Sequence, residues 1–171
     1  MPWTTPKTWS TNEVVTAANM NTHVRDNVAF LGSPPSVAVS NSASVLTTNS
    51  TFTFMNANTE LWDTDSMHST VTNTSRLTAT TAGRYQLTVT MRFGINATGS
   101  RVIGYRVNGG GSNIQLSAQL NTGLSVESVV SGSDMIVMAA TDYIETFSWQ
   151  NSGGDLDAIL QRASLTLVTV V

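Results

Sequence analysis

Residues 84 to 93, RYQLTVTMRF, constrain the fold more than any other stretch of this chain. Tyr85, Leu87, Val89, Met91 and Phe93 alternate with Gln86, Thr88, Thr90 and Arg92. A period of two places the apolar set on one face of a strand and the polar set on the other. Such a strand is stable only inside a sheet with one face covered, so the chain must supply several more strands and a second layer.

It does so. Strand patterns are expected at Ser36–Val45, Thr51–Met55, Arg101–Asn108, Ile114–Leu120, Leu124–Val130, Asp134–Ala139, Tyr143–Gln150 and Ala163–Val171, with the turn-forming runs NGGGSN and NSGGD between them. Many short strands punctuated by Gly, Asn and Asp point to an all-β sandwich or barrel. The last segment, SLTLVTVV, is apolar on both parities. It therefore belongs at the centre of a sheet or against another subunit.

The N-terminal fifth follows a different rule. Met1 to Trp9 holds Pro2, Trp3, Pro6 and Trp9, which suits an extended arm without a core of its own. Residues 13–31, EVVTAANMNTHVRDNVAFL, support a helix, with Ser10 and Glu13 at capping-box spacing or Thr16 as a later cap. Gly32 and Ser33-Pro34-Pro35 end it. Ala17, Met20, Val24, Asn27 and Leu31 form a seam with one polar member, which suits either a short oligomerising neck in which Asn27 sets the register or a single amphipathic helix packed on its own domain. The domains expected are an attachment arm at 1–12, a helical neck and proline-rich linker at 13–35, and a sandwich head at 36–171. In the arm, Trp3, Pro6 and Trp9 are the residues expected to dock in a groove of a neighbour, the alternative being that Trp3 and Trp9 fold back on their own helix.

Charge excludes several functions. The chain has 8 basic and 11 acidic residues, a net charge of -3, and charged residues make up 11% of it, against roughly 25% in an ordinary soluble domain. No Lys or Arg run could neutralise a nucleic-acid backbone. No apolar run is long enough for membrane insertion, and no signal peptide is recognisable, so synthesis in a cytoplasm without export is expected. The absence of cysteine rules out disulfides and thiolate sites.

Catalytic motifs are scarce. His23 and His68 are the only histidines, and no Gly-x-Ser-x-Gly elbow presents a nucleophile beside either. Gly109 to Gly111 lie between strand patterns and lack the helix and lysine of a phosphate loop. Carboxylates are available for glycoside cleavage (Glu60, Asp63, Asp65, Glu127, Asp134, Asp142, Glu145, Asp155, Asp157), but few aromatics are left to hold a sugar. The stretch LWDTDSMHST gathers Asp63, Asp65 and His68. These are candidates for calcium or a similar ion, yet the remaining ligands and the glycine of a calcium loop are missing, and Asx-turns place the same residues in a plain structural loop. No cofactor is expected otherwise.

Two resemblances organise these readings. AGRY at 82–85 opening the strong strand, GSR at 99–101 opening one that ends in NGG, ATDYIETFSWQ at 140–150 and the terminal apolar strand together resemble the trimeric jelly roll of tumour necrosis factor and complement-like globular heads. The Gly-x-Tyr element of that family matches Gly83 and Tyr85. Its Gly-Asp element is matched by Ala140-Thr141-Asp142-Tyr143-Ile144, without the glycine. The segment WSTNEVVTAANMNTHVRDNVAFL resembles an N-terminal element of tailed-phage virion proteins, and the Trp-Asp-x-Asp and His pattern is similar to one in phage heads.

The resemblance implies a jelly-roll sandwich head behind an arm and a short helix, trimerising through faces such as those of Val168 and Val170. It implies a non-enzymatic structural protein on the particle surface, a capsid decoration or head-fibre protein held to the major capsid protein or another virion protein by its arm. The alternative it carries is a small tail fibre or receptor-binding tip gripping a host-surface glycan or protein through Asn108–Asn113 and Asn151–Asp155. A glycan-cleaving enzyme stands third.

Overall fold

A computed structural model describes residues 3–120 and 126–171. Among these residues, after a helical segment, eleven strands run in chain order: β1 Ser36–Asn41, β2 Val45–Thr47, β3 Thr53–Phe54, β4 Thr59–Asp63, β5 Arg76–Thr78, β6 Gly83–Phe93, β7 Ser100–Val107, β8 Gly110–Leu120, β9 Ser128–Met138, β10 Tyr143–Gln150 and β11 Leu156–Val170. They form two antiparallel sheets. One has the order β4-β1-β11-β6-β9, with β2 also on β11, and the other has β3-β10-β7-β8, with β5 also on β10. From β9 onward each strand crosses to the opposite sheet, so the two layers close over one core.

The alternation in β6 is realised in full. Tyr85, Leu87, Val89, Met91 and Phe93 are all 0% exposed, each contributing about 2 kcal/mol of apolar burial. Gly83 begins this strand because a Cβ there would lie 2.4 Å from both Leu167 Cδ1 and the Thr169 carbonyl oxygen. The terminal apolar strand is central in its sheet, flanked by β1 and β6; Leu165 and Leu167 face the core, while Val168 on the other parity stays exposed.

Boundaries differ from the sequence expectations where pairing overrides local pattern. The segment expected as one strand over 36–45 is split into β1 and β2, which contact opposite stretches of β11. The segments expected at Leu124–Val130 and Asp134–Ala139 merge into β9, paired with β6 along its whole length; residues 124 and 125 lie outside the described residues. β8 and β11 begin earlier than their apolar patterns, and β4 and β5 were not expected at all. Both are short strands held by a neighbour's ladder.

The helical segment consists of α1 Ala17–Met20, a π turn over Asn21–Arg25, and α2 Asp26–Gly32. Thr16 is the cap, its side chain accepting from the Asn19 amide. Phe30 joins the core of the sandwich, so the segment is docked on the head.

Candidate assembly surfaces and loop sites

The arm lies on its own helix. The Trp3 and Phe30 rings are 5.7 Å apart and tilted. The Thr4 amide donates to Asn27 Oδ1 at 3.0 Å, and Asn27 Nδ2 donates to the Thr4 carbonyl at 2.6 Å and to that of His23 at 3.3 Å. His23 Nδ1 sits 3.2 Å from the Thr5 carbonyl. Two residues expected in intermolecular roles are thus engaged within the chain. Trp3 packs within its own chain because Phe30 and Asn27 offer it a ring and a backbone clamp. Asn27 is buried at that clamp and does not stand in an exposed seam, because the i to i+5 bonding of the π turn rotates the residues that follow it.

What remains on the outer face is an apolar row in which Val28 takes the place expected of Asn27. Met20, Val24, Val28 and Leu31 are exposed, as is Ala17. Pro6 and Trp9 are also exposed, with the Lys7 ammonium 5.2 Å from the Trp9 ring centroid and paired to Glu13. Of the two C-terminal residues, Val168 is exposed. Val170 is half-buried against the core, in a groove of about 250 Å³ shared with Trp3, Phe30, Leu31 and Pro34.

The first sheet carries apolar side chains on both of its edges. Leu61 and Trp62 are exposed on β4, while Val129, Met135 and Val137 are exposed on β9. Between them the outer face is mostly small and polar, and Ala38, Thr88, Thr90, Arg162 and Ser164 floor a depression of about 210 Å³ beside Trp62.

The LWDTDSMHST stretch is a tied loop. Asp63 Oδ1 accepts from the amides of Asp65 and Met67, at 3.1 and 3.0 Å, and its Oδ2 accepts from that of His68 at 2.9 Å. The His68 side chain is fully buried. Its Nδ1 is 2.9 Å from Glu60 Oε1 and its Nε2 is 3.1 Å from the Thr74 carbonyl. Both nitrogens are thus engaged by oxygens of the protein. Asp65 accepts from the Thr80 hydroxyl. Among the described residues no group of three or more His, Asp or Glu converges as a metal site. The chemistry of this cluster is that of an Asx-type anchor, and sequence reasoning located it while missing Glu60 as the partner of His68.

Next to this loop the structure forms a cavity that sequence reasoning did not find. About 400 Å³ in volume, it is lined by Ser66, Met67, His68, Ser69, Thr72, Asn73, Arg76, Thr78, Thr141 and Tyr143. Three of these residues adopt positive φ without being glycine: Ser66 at 56°, Asn73 at 51° and Thr141 at 76°. For a β-branched residue that conformation is an outlier. The Arg76 guanidinium lies 4.0 Å from the Tyr143 ring centroid. Tyr143 is held in turn by the Asn108-Gly109 hairpin, whose two residues have φ of 53° and 65°, the geometry of a type I′ turn. The Tyr143 amide donates to Asn108 Oδ1 at 2.9 Å, and a Cβ on Gly109 would meet Tyr143 Oη at 2.7 Å. The other expected loop, Asn151–Asp155, is tied down through Asn49 and Gln150.

Elsewhere the carboxylates are dispersed. Glu145 is bound by Arg106 at 2.7 Å and by the Ser75 hydroxyl at 2.6 Å. Asp134 accepts from the Tyr105 hydroxyl at 2.7 Å, and burial, reinforced by that carboxylate, raises the Tyr105 phenol well above its ordinary range. Asp142 accepts from Asn108 and from the Ala139 amide.

No protein-family model matches the chain, and no curated protein matches it. Among solved structures it is similar to the globular domain of zebrafish complement 1qA protein, with a TM-score of 0.59 and 16% identity over 80% of this chain and 99% of that one. It is also similar to the Eiger TNF of S. frugiperda, with a TM-score of 0.55 and 16% identity over 80% of this chain and 95% of that one. The chain therefore has the jelly-roll fold shared by these two heads, as the sequence resemblance implied.

Proposed function

We propose that this protein is a non-enzymatic structural module whose jelly-roll head assembles as a homotrimer. The observation that carries the reading is the pair of apolar strips on opposite edges of one sheet, Leu61 and Trp62 on β4 against Val129, Met135 and Val137 on β9. Two different apolar patches on opposite edges suit a head-to-tail contact, which makes a ring when the rotation between subunits closes. The β9 edge also gains cover, since a long uncovered edge strand invites uncontrolled pairing. The fold shared with the two solved heads supports the same arrangement. A lack of catalysis accords with His68 having both ring nitrogens engaged and with the scattered carboxylates.

The particle on which such a head would sit is read from residues 9–31, which resemble the N-terminal element of tailed-phage virion proteins. On this reading the protein decorates a phage capsid or caps a head fibre, at the virion surface. It is anchored to the major capsid protein or another virion protein by the arm-and-helix unit, whose outer row of Met20, Val24, Val28 and Leu31 is uncovered. Light scattering of the purified chain is expected to give three times the chain mass, and the paired substitution Met135→Lys with Val137→Lys is expected to give a folded monomer. A wild-type monomer at tens of micromolar sinks the assembly reading. Cosedimentation with capsids that survives Val24→Asp and Val28→Asp sinks the anchoring one.

A further inference from the structure

We propose that the cavity between the 66–78 loop and β10 binds a carboxylate-bearing saccharide, with Arg76 receiving the carboxylate. All of its residues come from one chain, so the inference stands independently of the assembly described above.

Arg76 stands among the residues lining the cavity without any Lys, Asp or Glu beside it there. The acid opposite it across the β5–β10 ladder is Glu145. That carboxylate is already held by Arg106, through Nε at 2.8 Å and the terminal nitrogen at 2.7 Å, and by Ser75. Two cations therefore flank one carboxylate, and the positive charge of Arg76 is left over. Its guanidinium makes no hydrogen bond or ion pair among the described residues and stacks on the face of Tyr143. That stacking fixes the plane of the fork while leaving its N–H groups free, which is the preorganisation a bidentate carboxylate requires.

The rest of the wall suits a sugar. The hydroxyls of Ser66, Thr78 and Thr141 and the carboxamide of Asn73 are likewise without partners among the described residues. They offer both donors and acceptors at several points around one cation. Inorganic phosphate would be served better by a second cation or a nest of amides, and a purely apolar ligand would leave these groups unpaired. The volume, about 400 Å³, falls at the small end of ligand sites. Strained backbone at Ser66, Asn73 and Thr141 surrounds the opening, and the Asp63 and His68 ties hold the loop in that shape.

The test uses the full chain, isotopically labelled, titrated with glucuronate and with N-acetylneuraminate, and with glucose and inorganic phosphate as comparisons. Saturable amide shifts confined to residues 66–78 and 141–143 are expected with either acidic sugar. Arg76→Gln is expected to weaken that binding about tenfold or more, and Thr78→Val less, with both variants melting near the wild-type temperature. No saturable shift with either acid at millimolar concentration in the wild-type protein overturns the proposal, whether or not the variants fold. So does equal binding of glucose or phosphate, or shifts centred outside the cavity.

Discussion

Asn27 tests whether the arm is part of the folded unit. Its carboxamide bridges both backbone groups of Thr4, accepting the amide at 3.0 Å and donating to the carbonyl at 2.6 Å. Replacing it with Ala removes both bonds. Each net hydrogen bond contributes about 1 kcal/mol, so closure of the arm on the helix weakens by about 2 kcal/mol, or roughly thirtyfold in the open-to-closed ratio. The Trp3–Phe30 contact is retained and keeps the loss from becoming complete. Amide hydrogen exchange at Thr4 reads this directly, because local opening sets its protection. Thr4 is expected to exchange roughly thirtyfold faster in Asn27→Ala, with β6 amides unchanged. Asn27→Leu separates the clamp from a seam role. At a helix–helix seam it would tighten self-association, whereas at the clamp it frees Thr4 as Ala does. Wild-type exchange at Thr4 in Asn27→Ala would refute the clamp.

Four further outcomes follow from the packing. Tyr85→Ala empties a fully buried site and is expected to cost about 3–5 kcal/mol, a fall of about 10 °C in melting temperature by calorimetry; a wild-type melt would show that the ring does not fill the core. Asp63→Ala strands three backbone amides and should cost about 2 kcal/mol. Adding calcium or a chelator should leave the wild-type melt unchanged, and a calcium-dependent rise would mean the loop is an ion site after all. Tyr105 has its phenol raised above the ordinary value of 10.0 by burial and by Asp134. A group raised on folding contributes stability below its unfolded value and loses it as pH rises beyond, so stability should fall more steeply above pH 10 in the wild type than in Tyr105→Phe, as chemical denaturation would measure.

The loops show where sequence reading stopped. Asp63, Asp65 and His68 stand out as a group, and Asp63 does bond its own neighbours, because an Asx-type tie is a local device. Whether His68 turns to a metal or to Glu60 depends on β4 lying alongside β1, which no local pattern encodes. The same holds for the cavity. Arg76 and Tyr143 are unremarkable where they occur in the chain, and they meet because β5 pairs with β10.

What the sequence determined by itself is what repeats over a few residues. The period-two rows of β6 and β7, the Asn-Gly turn and the prolines that end the helix are each a consequence of backbone geometry acting locally. The two-sided apolar strand at the C-terminus left its place open between the centre of a sheet and another subunit, and pairing with β1 and β6 put it at the centre. Only the tertiary structure decided that the arm folds onto Phe30 and Asn27, that Glu145 is taken by Arg106 and so leaves Arg76 uncompensated, and that apolar strips fall on opposite edges of one sheet. Each of these depends on which distant segments pair, and pairing is set by how the whole set of strands shares one core.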